Sequence, residues 1–157
     1  MRKIDQLLSE YGESHQNATN KAIHWICVPL IFFSIMALIA AIPNDLLINI
    51  SGSPMLNWAS VVLLLIMIYY VSLSVSLSIG MLIFSLICLA AIRVLISAFA
   101  TPLWLIALVI FVLAWVGQFY GHKVEGKKPS FFKDLQFLLI GPAWLMHFIY
   151  KKIGIPY

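Results

Sequence analysis

Long apolar runs separated by short polar segments dominate the chain and predict helices that cross a membrane. A transmembrane helix needs about 20 apolar residues, so the apolar block that starts at Met55 is too long for one crossing. Serines alternate with leucine and valine near residues 72–78, and we divide the block there. The predicted spans cover residues 22–42, 55–73, 77–98 and 102–120. The pattern therefore predicts one all-α membrane domain over residues 1–157, with four transmembrane helices.

The polar N-terminal segment, residues 1–21, differs from a cleaved signal peptide. It is about twenty residues long and carries Asp5, Glu10 and Glu13, whereas a signal peptide has a short basic lead before its apolar stretch. Ile4, Leu7, Leu8 and Tyr11 recur at helical spacing. We therefore expect an interfacial helix and a turn ahead of the first span.

The C-terminal part begins with a predicted cytoplasmic loop over residues 121–130 and continues into an apolar run over residues 131–150. Gly141-Pro142 interrupts this run, and each half is too short to cross a bilayer. A crossing would also place Lys151 and Lys152 on the outer side, against the positive-inside rule. The run is predicted to form a broken or re-entrant helix packed inside the protein.

Composition and charge support a membrane protein and exclude several other classes. Apolar residues make up 62% and charged residues 10% of the chain, whereas soluble domains average about 25% charged. Between residues 22 and 122 the only charged residues are Asp45 and Arg93. Four crossings place both lysine-rich ends on the cytoplasmic side, as the positive-inside rule requires. The net charge of +4 forms no basic stripe with interleaved aromatics, so nucleic acid is not an expected partner and membrane lipid is.

All four histidines fall on the predicted cytoplasmic side: His15, His24, His122 and His147. On one unbroken helix, His15 and His24 would point in opposite directions, because nine residues correspond to about 180°. The polar residues between them, which include Asn17 and Asn20, favour caps and turns. A break there would allow both imidazoles to face one point.

His122 lies beside two other polar side chains, Gln118 one turn before it and Glu125 three residues after it. Imidazole and carboxylate ligands with open coordination positions suit non-haem iron or zinc. Outer hydrogen-bond partners that fix the imidazole tautomers are expected among four nearby residues: Tyr11, Asn17, Asn20 and Gln118. The spacing alone leaves a metal site and a set of interfacial polar side chains as alternatives.

Two motifs resemble the 2-hydroxy fatty acid dioxygenase family of small membrane proteins. The first is Tyr11-x3-His15-x-Asn17-x2-Asn20-x3-His24-x3-Val28-Pro29. The second is Gln118-Phe119-x-Gly121-His122-x2-Glu125-x3-Pro129, and Gly141-Pro142 follows it. The resemblance covers nearly the whole chain, although the middle spans match only in hydrophobicity.

The resemblance implies an iron(II)-dependent enzyme that uses O2 to shorten a 2-hydroxy fatty acid by one carbon. The motifs carry His15, His24 and His122 over as metal ligands, and the predicted topology adds His147. Tyr11 and Glu125 are the candidate catalytic residues. The shortness of the chain suggests a bacterial protein and hence an inner membrane.

Two alternatives of other classes remain at this stage, and the oligomeric state is left open. One is a non-enzymatic membrane protein whose histidines bind a metal or haem. The other is a small transporter, although the chain has no duplicated halves of the kind that transporters show. The chain also lacks the motifs of covalent haem attachment, zinc metalloproteases and serine hydrolases.

Overall fold

A computed structural model describes residues 2–53, 56–126 and 137–157, which form seven α-helices and no strand. The helices are α1 (Lys3–Gly12), α2 (Ala18–Ala40), α3 (Asp45–Ser51), α4 (Trp58–Leu73), α5 (Val75–Ala98), α6 (Leu103–Glu125) and α7 (Ile140–Ile153). The predicted all-α class is confirmed for these residues.

The break between the first two helices lies where the capping residues predict it. Helix α1 ends at Gly12, and α2 begins after Asn17, whose side-chain oxygen accepts hydrogen bonds from the backbone N–H groups of Thr19 and Asn20. Such a cap satisfies donors that the first helical turn leaves without partners. Helix α1 packs on α7 through the apolar face that its periodicity predicts.

Three helices, α2, α5 and α6, are long and apolar enough to cross a membrane. Helix α4 is apolar but has only 16 residues, about 24 Å, which is shorter than a hydrocarbon core of about 30 Å. It begins three residues after the predicted start of the span, because Asn57 caps it. It ends at Leu73, and the side chain of the next residue, Ser74, caps α5. The division of the long apolar block is therefore where the serines predict it. A count of four crossings stays a prediction.

Helix α2 is the centre of the bundle. It pairs with α6 along its length and also contacts α4, α5 and α7. Large apolar side chains on the outer faces of α4, α5 and α6 are exposed, for example Leu65, Ile87 and Leu113 at 61%, 61% and 66%. Apolar surfaces of this extent fit a lipid surrounding rather than water.

The structure differs from the sequence prediction in three places. Residues 121–125 of the predicted loop continue α6, which ends where Gly126 adopts a positive φ of 75°. Helix α3 lies between the first two predicted spans, where the sequence pattern predicts no helix. Gly141-Pro142 lies in the first turn of α7, where the missing N–H of proline costs no helical hydrogen bond. The described part of the 131–150 run is thus one helix after a turn, and its residues 131–136 lie outside the described chain.

Candidate metal centre

Three histidines from different parts of the bundle meet in a buried cluster. His15 lies in the turn between α1 and α2, His24 in the second turn of α2, and His122 near the end of α6. Their exposed fractions are 3%, 1% and 5%. The ring centroids lie 4.2 Å apart for His15 and His24, 5.0 Å for His24 and His122, and 5.4 Å for His15 and His122. One nitrogen of each ring lies within 4.8 Å of the other two, a spacing that can hold one metal ion.

Backbone carbonyls determine which nitrogen two of these rings present to the centre. Nδ1 of His15 lies 2.6 Å from the carbonyl oxygen of Tyr11, and Nδ1 of His24 lies 2.9 Å from that of Asn20. A carbonyl oxygen only accepts hydrogen bonds, so each Nδ1 carries the proton and donates it. The lone pair is then on Nε2, the arrangement by which second-shell partners orient metal-bound imidazoles.

The donor set fits a divalent transition metal. Nε2 of His24 is fully buried and has no hydrogen-bond partner among the described residues. A buried acceptor without a partner costs free energy, and a metal ion would satisfy it. Neutral imidazoles suit iron, zinc, copper and nickel, and three ligands leave coordination positions open for other molecules.

Glu125 connects α6 to the turn that carries His15. Its carboxylate accepts hydrogen bonds from the backbone N–H groups of Gln16 and Asn17, both at 2.9 Å, and from Nδ2 of Asn20 at 3.0 Å. Nδ2 of Asn20 also donates to the carbonyl of Ser14. This tether holds the turn and the start of α2 against the helix that supplies the third imidazole.

Replacing Glu125 by glutamine should weaken the tether, because the neutral amide offers one acceptor oxygen instead of two and no charge. We expect metal affinity to fall by about 10- to 100-fold, the usual cost of losing a partner that orients a ligand. Titration of the apo protein with metal measures it. A charge change at the exposed Glu10 of α1 is the control (Glu10→Gln). Equal affinities of E125Q and wild type would contradict the tether.

Tyr11 and Gln118 lie beside the cluster. The ring of Tyr11 stacks on that of His15, with centroids 4.2 Å apart and an angle of 12° between the planes. Tyr11, Gln118 and His122 line a cavity of about 20 Å³, enough for about one water molecule. Asn17 is the cap of α2, and its backbone N–H donates a hydrogen bond to Glu125.

The N-terminal turn of α7 also supports the site, which the sequence did not lead us to expect. Trp144 is buried against the rings of Tyr11 and His15, at centroid distances of 5.3 and 5.4 Å. A Cβ atom on Gly141 would lie 2.9 Å from the Tyr11 hydroxyl, so a larger residue there would force the Tyr11 ring to shift. The Gly-Pro pair in the family motif is the signal that could have indicated this contact.

His147 lies away from the three clustered histidines. Its ring contacts Phe148 and Tyr157, and the Tyr157 hydroxyl is the hydrogen-bond partner of its Nδ1. On α7, His147 therefore faces the C-terminal residues, whereas Trp144 faces the cluster. The structure brings three of the four predicted ligands together and leaves the fourth apart.

Burial, together with the nearby charge of Lys151, lowers the pKa of His147 below its ordinary value, against a weaker opposing effect of Asp5. The folded protein then binds this proton less readily than the unfolded chain does. Stability should fall as the pH drops below the ordinary value of about 6.5. Thermal unfolding of detergent-solubilised protein at pH 7.5 and pH 5 should show a smaller acid loss for His147→Gln than for wild type. Identical losses would contradict this assignment.

Comparison with known proteins agrees with the motifs. No curated protein and no solved structure matches the chain. The model of one family, described as 2-hydroxy-palmitic acid dioxygenase Mpo1-like, matches residues 1–153 and confirms the family that the histidine motifs indicate. The match includes all three clustered histidines and Glu125. The chain therefore belongs to the Mpo1-like family, whose description is that of a dioxygenase, an oxidoreductase acting on a 2-hydroxy fatty acid.

Proposed function

We propose that the protein is an iron(II)-dependent dioxygenase that cleaves 2-hydroxy fatty acids between their first two carbons and shortens them by one carbon. The observation that carries the proposal is the buried cluster of His15, His24 and His122 in a chain of this family. Buried polar groups are expensive inside a membrane protein, and a metal centre gives this cluster a function.

The three imidazoles would hold the iron through one nitrogen each, Nε2 for His15 and His24. Bound iron(II) supplies a template for the substrate oxygens and a redox centre for O2. The protein side chains position these groups: the carbonyls of Tyr11 and Asn20 orient two imidazoles, and Glu125 holds their turn in place. We therefore propose that Glu125 serves the reaction as a positioning residue.

Tyr11 is the proposed catalytic residue, because it lines the small cavity beside His122. Its phenol group is suited to donate a hydrogen bond to the carboxylate or hydroxyl of the substrate head. Gln118 lines the same cavity and offers both a donor and an acceptor. These two side chains would orient the head group relative to the three imidazoles.

The proposed location is a bacterial inner membrane, with the metal centre at the cytoplasmic face. The support is the distribution of charge, since Lys3, Lys21 and Lys123 lie in the same polar end regions as the histidines. Three helices of sufficient length and hydropathy provide the membrane anchorage.

Structural binding of haem finds no support among the described residues. His15, His24 and His122 converge on one point, whereas haem iron takes at most two axial ligands from a protein. Structural binding of a metal without turnover is the remaining alternative, and the experiment below separates it from catalysis.

The experiment measures iron content and O2 consumption of the detergent-purified protein reconstituted with iron(II). We expect near-stoichiometric iron and O2 uptake that requires a 2-hydroxy fatty acid, with a product one carbon shorter. The matched unhydroxylated fatty acid is the control substrate. Iron-loaded protein that consumes no O2 with any 2-hydroxy fatty acid would leave the metal site intact and refute the enzymatic proposal.

A further inference from the structure

A second, larger cavity lies between α2 and α4. Its volume is about 320 Å³. Four of its lining residues come from α2, two from α4, and Leu138 and Leu139 complete it just before α7. All eight lining residues are apolar, so the cavity has no group that would hold water or an ion.

This cavity borders the metal centre. Leu138 lines both the large cavity and the small cavity that contains His122, Gln118 and Tyr11. On α2 the lining passes from Val28 and Ile31 in the small cavity to Phe32 and Ile35 in the large one, without a gap in the helix face. The two cavities therefore lie next to each other along α2, and together they mark a path from the polar groups near His122 to the apolar residues near Ile39.

The direction of this path suits an amphipathic ligand in a membrane. From His24 to Ile39, the far end of the large cavity, α2 extends about 22 Å at 1.5 Å per residue. The polar end of the path lies at the end of α2 that is nearest the charged N-terminal segment, and the apolar end lies toward the middle and far side of the bundle. A long acyl chain with an anionic head has the same polarity and the same elongated shape.

We propose that the cavity between α2 and α4 holds the acyl tail of the substrate and sets the preferred chain length. The proposal rests on the proposed function, because the head group at the histidines determines where the tail begins. On its way from the small cavity to the large one, the tail passes Leu138, which lines both. Val62 and Ile66 of α4 line the far wall and so set how much chain fits.

The first test changes the cavity volume and measures chain-length preference. Val62→Phe adds a ring to the wall, and Ile66→Ala removes part of it. We expect V62F to lower kcat/KM by about tenfold or more for long 2-hydroxy acids and to leave short ones nearly unchanged, since each methylene in an apolar pocket changes the rate by about tenfold or more. I66A should shift the preference toward longer acids.

A matched control is available on the same helix. Leu65 is 61% exposed on the outer face of α4, so Leu65→Phe adds a ring of the same size outside the cavity. The control should keep the wild-type chain-length profile. If V62F and L65F give the same profile, or V62F affects all lengths equally, the cavity does not hold the tail and the proposal is overturned.

The second test needs neither metal nor turnover. A 2-hydroxy fatty acid with a photoreactive diazirine at the end of its tail is bound to the metal-free protein, irradiated and mapped by peptide mass spectrometry. Labelling of Val62, Ile66 or the α2 wall supports the proposal, and labelling of Leu65 or other outward residues overturns it. If wild type labels the cavity but turns over no acid of any length, the proposed reaction fails while the tail site stands.

Discussion

Replacing His24 by alanine is expected to remove metal binding and, with it, all O2-dependent turnover. His24 is 1% exposed, and its Nε2 has no hydrogen-bond partner among the described residues, so the lone pair of this nitrogen is available to a metal ion. Losing a ligand should cost more than the roughly 100-fold in affinity that losing an orienting partner costs. Elemental analysis of the purified variant and a metal titration of its apo form measure the effect.

His147→Ala is the matched control, because it makes the same chemical change at a half-buried histidine that contacts Tyr157 instead of the cluster. It should retain the metal content of wild type. A loss of metal in H147A equal to the loss in H24A would mean that His147 joins the centre, as the predicted topology suggested. Retention of metal in H24A would refute the three-histidine site itself.

Replacing Gly121 by alanine should have the second-largest effect, although Gly121 carries no functional group. A Cβ atom there would lie 2.4 Å from Oδ1 of Asn20 and 3.5 Å from Cε1 of His24. Asn20 is fully buried, and Glu125 and Ser14 already hold its amide, so it cannot move aside without losing those bonds. We expect a loss of about 1–3 kcal/mol in stability and about 10- to 100-fold in metal affinity.

Gly12→Ala serves as the control for G121A, because its added Cβ would reach only ordinary contact, 3.4 Å from Nε1 of Trp144. This variant should unfold at or near the wild-type temperature and bind metal normally. The measurements are thermal unfolding in detergent and titration of the apo protein with metal. Wild-type affinity in G121A would show that the contact between α2 and α6 tolerates expansion and does not position His24.

Local sequence patterns were sufficient for most of the fold. The helical spacing of Ile4, Leu8 and Tyr11 indicates α1, and the capping residue Asn17 indicates where α2 begins. Helix boundaries that depend on tertiary packing were harder to predict from the sequence. Helix α6 continues past Tyr120 to Glu125, because the acceptors at Glu125 meet donors of a turn more than 100 residues earlier in the chain. No local pattern reports such a contact.

Three of the four predicted histidines lie in the cluster, and its arrangement was only partly predictable from the sequence. Polar residues between His15 and His24 indicated the break that lets both imidazoles meet, and the motifs added His122. Whether His147 reaches the cluster depends on how α7 is placed along its axis as well as on its rotation. Trp144 and His147 are three residues apart, so they lie on neighbouring faces about one turn apart along the helix, and only tertiary packing decides which of them reaches the cluster. The contribution of Gly141 and Trp144 likewise became visible only in three dimensions.

The pairing of α2 with α6 has a consequence for how the protein is made. The chain is synthesised from its N-terminus onward, so His15 and His24 reach the membrane before His122 is synthesised. These two ligands are then in place without the third, which comes only with α6. Helix α6 packs on α2, and its Glu125 accepts a hydrogen bond from Asn20 of α2. Metal can bind to all three imidazoles only after α6 is in place. A loaded centre therefore requires that α6 has paired with α2, and a chain that ends before His122 cannot form it.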